Sequence, residues 1–223
     1  MIFKQLKNLL VIALFFITIK AVSQASEKPF SIDDAINLKN VRSPKISPDG
    51  KWIAFTVSEL DLEKDKSETR IWMIPTGGGD AIPMTSKGYS ASQARWSPDN
   101  KYLSFLAAKN DGKTQVWTLN LLGGEAQQLT KIKQGVSGHE WSPDGKRLLL
   151  SIRDPKPEEL TKDKKDDKKA KPFVVDRLQF KRDYKGYLDR YRTHLYTFVP
   201  GDSTAVQITS GDYDDLSPVW KPD

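Results

Sequence analysis

A five-residue turn motif returns along this chain, and no other feature restricts its fold as much. Ser47-Pro48-Asp49-Gly50-Lys51 recurs as Ser97-Pro98-Asp99-Asn100-Lys101 and as Ser142-Pro143-Asp144-Gly145-Lys146. Trp96 and Trp141 stand two residues before the proline of their copies, and Trp220-Lys221-Pro222-Asp223 begins a fourth. Proline presets φ at the second position of a tight turn, Asp suits the third, and Gly or Asn tolerates the left-handed conformation that follows. Pro48, Asp49, Gly50, Pro98, Asp99, Pro143, Asp144 and Gly145 are therefore read as structural turn residues. A catalytic triad is a unique constellation, whereas these serines and aspartates are reused.

Each turn leads into an alternating run: Ile53, Phe55 and Val57, then Leu103, Phe105 and Ala107, then Leu148, Leu150 and Ile152. Residues two apart share one face of a strand, so these sets are the expected buried faces. A further strand is marked by Ile71-Trp72-Met73-Ile74, Val116-Trp117-Thr118-Leu119 and Leu195-Tyr196-Thr197-Phe198. Each unit closes on a hydrophobic residue and threonine, Met84-Thr85, Leu129-Thr130 and Ile208-Thr209. The strand aromatic precedes its threonine by 13 residues in every copy, and the threonine precedes the next turn proline by 13. The interval from turn proline to strand aromatic varies instead, at 24, 19 and 53 residues. Paired strands do not accept insertions and surface loops do, so this is a fixed frame with one elastic connection.

Units of about 45 residues with four short strands are the period of propeller blades. The expected fold is all-β: a partial β-propeller of three four-stranded, TolB/WD40-like blades at about 41–90, 91–136 and 137–213, with a fourth starting at 214–223. A lead-in at 26–40 carries a short helix, for which Ser31 and Asp34 form a capping-box-like start. Propellers typically close with four to eight blades, so the sequence reads as a propeller cut before closure.

The first 25 residues follow the layout of a secretory signal peptide: Lys4 and Lys7, an apolar run from Leu9 to Ile19, then small residues leading to cleavage between Ala25 and Ser26. Eleven residues fall well short of the roughly 20 that span a bilayer as a helix. An exported protein, periplasmic or secreted and without a stable membrane span, is expected. The net charge of +6 falls to +3 on cleavage, with 32 basic against 29 acidic residues. Nothing in that balance asks for a nucleic-acid partner. The absence of cysteine rules out disulfides and thiolate zinc sites. With only two histidines, His139 and His194, both read as structural, no cofactor or metal is expected. The acidic pairs Asp33-Asp34, Asp166-Asp167 and Asp214-Asp215 lack the ligand spacing of a calcium loop.

The elastic connection of the third blade, residues 154–193, has two parts. Residues 154–172 hold seven lysines and six acids with almost nothing apolar, the composition of a solvated loop. Residues 173–193 alternate aromatics with cations, among them Arg177, Arg182, Tyr184, Tyr187 and Arg190. With export and the family resemblance given below, these five are expected to pack over the propeller face or to form a loop gating substrate entry.

The Trp-Ser-Pro-Asp-Gly-Lys repeat resembles that shared by the translocation protein TolB and the prolyl oligopeptidase family of serine peptidases. Two stretches favour the peptidases. Phe30-Ser31-Ile32-Asp33-Asp34-Ala35 with Val41-Arg42-Ser43-Pro44 is similar to the opening of bacterial acylaminoacyl-peptidase and dipeptidyl-peptidase-like members. Asp176-Arg177-Leu178-Gln179-Phe180, continuing to Thr193-His194-Leu195-Tyr196, resembles the long third-blade segment of the acylaminoacyl type. The resemblance implies a propeller that gates short peptides toward a C-terminal α/β-hydrolase domain holding a Ser, Asp, His triad. That domain would be the propeller's partner within the same protein, and it is missing from this sequence. No Gly-x-Ser-x-Gly nucleophile elbow occurs here, and Gly135-Val136-Ser137-Gly138 is one residue too short. This chain by itself is expected to catalyse nothing. The alternative is a TolB-like periplasmic propeller that binds partner proteins without catalysis.

Overall fold

The computed structural model describes residues 29–63, 65–109, 112–155, 175, 178–184 and 186–221. The expected cleavage site at Ala25 and Ser26, Arg177, and the final Pro222-Asp223 lie outside the described residues, as does most of the lysine-rich stretch. The chain divides into two units, residues 1–38 and 39–223. In the first, helix α1 (Ile32–Ile36) starts on a reciprocal cap: the Asp34 amide donates to Ser31 Oγ at 3.2 Å, and the Ser31 amide donates to Asp34 Oδ2 at 2.9 Å.

The second unit is a partial β-propeller. Its first sheet orders β1 (Asn40–Ile46), β2 (Trp52–Asp61), β3 (Lys66–Pro75) and β4 (Ile82–Pro83) as consecutive antiparallel neighbours. The second repeats this with β5 (Ala91–Trp96), β6 (Tyr102–Ala107), β7 (Gln115–Asn120) and β8 (Gln127–Gln128). The third begins with β9 (Gly138–Trp141) and β10 (Leu148–Arg153). It is interrupted by a separate hairpin of β11 (Lys181–Arg182) and β12 (Gly186–Tyr187), and finishes with β13 (Thr193–Phe198) and β14 (Val206–Gln207). The first strands β1, β5 and β9 neighbour one another, as the innermost strands of successive blades do.

The repeated turn is built three times with the same bonds. In the first, Ser47 Oγ donates to Asp49 Oδ1 at 2.6 Å and accepts the Trp52 amide at 3.0 Å, while Asp49 Oδ1 takes the Lys51 amide at 3.2 Å. The Ser97/Asp99 and Ser142/Asp144 turns match it. Gly50, Asn100 and Gly145 close the turns at φ 72°, 57° and 69°, where a residue without a β-branch is required. The serine hydroxyl holds each aspartate below the ordinary carboxylate range, helped by the lysine amide. A carboxylate with a lowered folded-state pKa adds stability above its unfolded value and loses it as pH falls through the folded one. The melting temperature is therefore expected to decline as pH drops from about 4 toward about 2. A variant carrying Asp49→Asn, Asp99→Asn and Asp144→Asn should start lower and decline less. Parallel pH profiles for the two proteins would exclude the turns as the source.

The threonine that closes each unit completes its third strand. Thr85, Thr130 and Thr209 accept the amides of Ile71, Val116 and Leu195 at 3.0, 2.9 and 2.9 Å. The hydroxyl supplies the acceptor that a two-residue outer strand is too short to provide, which explains the constant 13-residue interval.

Two apolar clusters lie between blades. Ala54, Ile71 and Met73 of the first blade meet Trp96, Leu103, Phe105 and Leu119 of the second. Leu106 and Val116 of the second meet Leu148, Leu150, Ile152 and Phe198 of the third. Thus the expected buried sets hold in the second and third blades and fail in the first. There Ala54 and Thr56 are buried with Val57, while Ile53 and Phe55 are only half-buried. The cause is geometric. In the second and third blades this set packs on the blade before, and among the described residues no blade precedes the first.

Tryptophans lock the same seams. Trp96 Nε1 donates to Lys45 O at 2.9 Å, and Trp141 Nε1 donates to Ser104 Oγ at 2.8 Å. Trp220, at the corresponding place in the fourth copy, directs its Nε1 to Glu140 O at 3.4 Å and lies under the Arg147 guanidinium. The start of the fourth repeat is therefore laid against the third blade as Trp96 is against the first.

Candidate functional site

The turn residues singled out in the sequence lie together at one end of the blades. The Asp49 amide reaches Asn100 Oδ1 at 3.3 Å, and Pro98 faces Gly145. Each carboxylate accepts the serine hydroxyl and the lysine amide of its own turn through Oδ1. Ser104 and His139 form a Ser–His pair at 2.8 Å, with Ser104 Oγ also taking the Trp141 indole. Both side chains are buried between blades, and burial, with the Arg95 charge, pushes the His139 imidazole down to about 3. At that value the imidazole is neutral, and it packs in the seam between the second and third blades.

The feature that departs from the repeat is the third-blade insertion. It is firmly rooted. The Asp154 amide donates to Arg192 O at 2.7 Å and the Arg192 amide to Asp154 Oδ2 at 2.9 Å, closing the loop at its neck. Arg153 pairs with Asp189 at 2.5 Å and lies over the Tyr191 ring, and Arg192 forks onto Asp212 at 2.9 and 2.7 Å. From that root rises the hairpin, with Phe180 stacked on Tyr187 at 6.3 Å and the Leu188 amide bonded to Phe180 O.

Of the five gating residues, the structure brings Arg182, Tyr184 and Tyr187 together on this hairpin and places Arg190 at its root. Tyr184 is fully exposed at a left-handed φ of 61°, a conformation an aromatic residue seldom adopts. Leu178 is likewise fully exposed. The hairpin thus has a bonded base and carries exposed aromatic and apolar side chains beside Arg182. Among the described residues no group of three His, Cys, Asp or Glu could hold a metal ion, and no helix is long and apolar enough to cross a membrane.

Sequence reasoning weighed Asp215 only as part of the acidic pair Asp214-Asp215 and connected neither it nor Asp154 with His194. Asp215 Oδ2 lies 3.2 Å from His194 Nδ1, and Asp154 Oδ1 lies 3.6 Å from Nε2. A signal existed: Arg70, Gln115 and His194 each precede their closing threonine by 15 residues, but three different residue types make no motif.

Consecutive four-stranded sheets packed face to face define a β-propeller segment. No family model matches the chain. It is 30% identical over 198 residues, 88% of its length, to the uncharacterized peptidase YuxL of Bacillus subtilis strain 168. It superposes on the uncomplexed acylaminoacyl peptidase of Pyrococcus horikoshii with a TM-score of 0.58, at 21% identity and over 87% of its length. The apo AtxE2 isopeptidase gives 0.54 at 19% identity over 79% of the chain. The chain spans 30% of the Bacillus protein, 27% of the Pyrococcus chain and 31% of the isopeptidase. The resemblance read from the repeats is thereby borne out, and the two structures establish the fold.

Proposed function

We propose that this chain is the propeller portion of an exported serine peptidase of the prolyl oligopeptidase family, and that its third-blade hairpin filters the peptides admitted to a hydrolase domain of the same protein. The observation that carries the reading is the pairing of a peptidase relative, 30% identical through these blades, with a firmly rooted arm in the one connection where blade lengths differ. The propeller would act by exclusion, admitting short peptides and rejecting folded chains. Arg182 and Tyr184 would meet the peptide at the entrance, and the triad would belong to the hydrolase domain.

The test uses the whole protein encoded by the gene, with and without residues 178–187. Removal of the hairpin is expected to raise kcat/KM for long peptides relative to dipeptides by about tenfold, a change in access worth roughly 1.4 kcal/mol. Unchanged length selectivity would sink the gating role. A whole protein without serine-peptidase activity would sink the larger reading. Residues 26–223 alone are expected to hydrolyse no peptide substrate, and turnover that survives removal of contaminating proteases would contradict this.

A further inference from the structure

Arg70, Gln115 and His194 occupy one slot in the three blades, directly before the residue whose amide the closing threonine accepts. Arg70 sends Nε and Nη2 to Thr85 O at 2.9 and 2.8 Å. Gln115 takes the Thr130 hydroxyl and the Ile132 amide at Oε1 and gives Nε2 to Ile132 O. His194 faces Asp215, whose Oδ2 also accepts the Thr209 hydroxyl at 2.5 Å. In each blade this side chain fastens the segment that runs from the closing threonine into the following repeat.

The third blade differs in two ways. Its slot holds an imidazole, and that imidazole has a second acidic neighbour in Asp154, which stands at the neck of the insertion. A neutral imidazole carries one N–H and an imidazolium two. Only the protonated ring can therefore donate to Asp215 through Nδ1 and also face Asp154 through Nε2–H. The surroundings are acidic on balance. Asp214 accepts the Thr193 amide, Arg192 is committed to Asp212, and the Tyr213 ring meets His194 edge-on at 6.4 Å. The Tyr196 phenol, on the same face of β13, is pushed up by burial and by Asp154. The Thr209 hydroxyl, with His194, holds the Asp215 carboxyl below the ordinary carboxylate range, so it stays ionised through mildly acidic pH.

We propose that His194 is a proton-operated clasp: protonated, it ties both the neck of the insertion at Asp154 and the exit toward the next repeat at Asp215 to β13, and deprotonated, it holds only one of them. The state that binds the extra proton is favoured as pH falls, so the two-sided clasp forms as the ring takes up its second proton and opens as it releases it. This goes beyond the gating role and does not depend on it, because the clasp sets the order of the insertion's neck whatever the hairpin meets.

The full chain offers a clean reporter. The His194 ring is read directly by its imidazole signals, assigned by their absence in His194→Gln, and His139, buried and pushed down to about 3, serves as the internal reference. Amide hydrogen exchange, corrected for intrinsic rates, reads the neck through the Asp154 and Arg192 amides. Protection there is expected to fall about tenfold as the His194 ring signal passes from its protonated to its neutral position, while the Val116 amide beside Gln115 does not change. His194→Gln, patterned on Gln115, should flatten the dependence, and His194→Arg, patterned on Arg70, should keep protection high at both ends. A neck whose protection is flat in the unsubstituted chain, or which loses the same protection in His194→Gln, would overturn the clasp.

Discussion

Replacing Phe105 by alanine is expected to cost the chain about 3–5 kcal/mol of stability, while the same change at Phe55 costs about 1–2 kcal/mol. The two residues are the same position of successive blades. Phe105 pairs with Trp117 across the strands, and Phe55 with Trp72. Phe105 is 0% exposed, wedged with Leu103 and Trp96 against Ala54, Ile71 and Met73 of the preceding blade. Its removal forfeits the transfer energy of the ring and leaves a cavity bounded by two rigid sheets that cannot collapse onto it. Phe55 lies on the side of its sheet where Ile46 is 66% exposed and no described blade packs. Its truncation exposes neighbours that already touch solvent. Urea denaturation of both variants, with m-values, checks the difference. Equal losses would mean that the outer face of the first blade is covered in solution.

That contrast also marks how far the sequence could be read. Turns, strands and closing threonines were legible because each is a local structure satisfied by its own residues. Ser97 and Asp99 make the same bonds wherever they occur, and a 13-residue interval survives because Thr130 must reach the Val116 amide. What is buried is not local. Strand alternation puts Ile53, Phe55 and Val57 on one face but says nothing of whether a sheet lies against it. The innermost strands show the same limit. Ser43 and Gln93 take left-handed φ values of 55° and 51° at bulges in β1 and β5, whereas β9 pairs with β10 without a shift. No residue type announces that difference. The candidate site was half-legible: the insertion stood out by length and composition. Its neck, where Asp154 meets Arg192 and His194, is assembled by residues 38 and 40 positions apart and needed the fold.

Thr130→Val is expected to destabilise the chain by about 2–3 kcal/mol although it is nearly isosteric. The Thr130 hydroxyl accepts the Val116 amide at 2.9 Å and donates to Gln115 Oε1 at 2.8 Å, and Thr130, Val116 and Gln115 are all buried. Valine fills the same space with a methyl group and leaves the Val116 N–H without an acceptor, at the desolvation cost of a buried donor. Gln115 keeps its bonds to Ile132, so the loss is confined to the strand. Thr209→Val should cost less, because Thr209 is only half-buried and water can reach the Leu195 amide it releases. Thr130→Ser separates the causes. It retains the hydroxyl and removes only the methyl, and should recover most of the stability in thermal or urea melts. A serine variant as unstable as the valine one would assign the effect to methyl packing, and the hydroxyl could no longer account for the fixed spacing of the repeats.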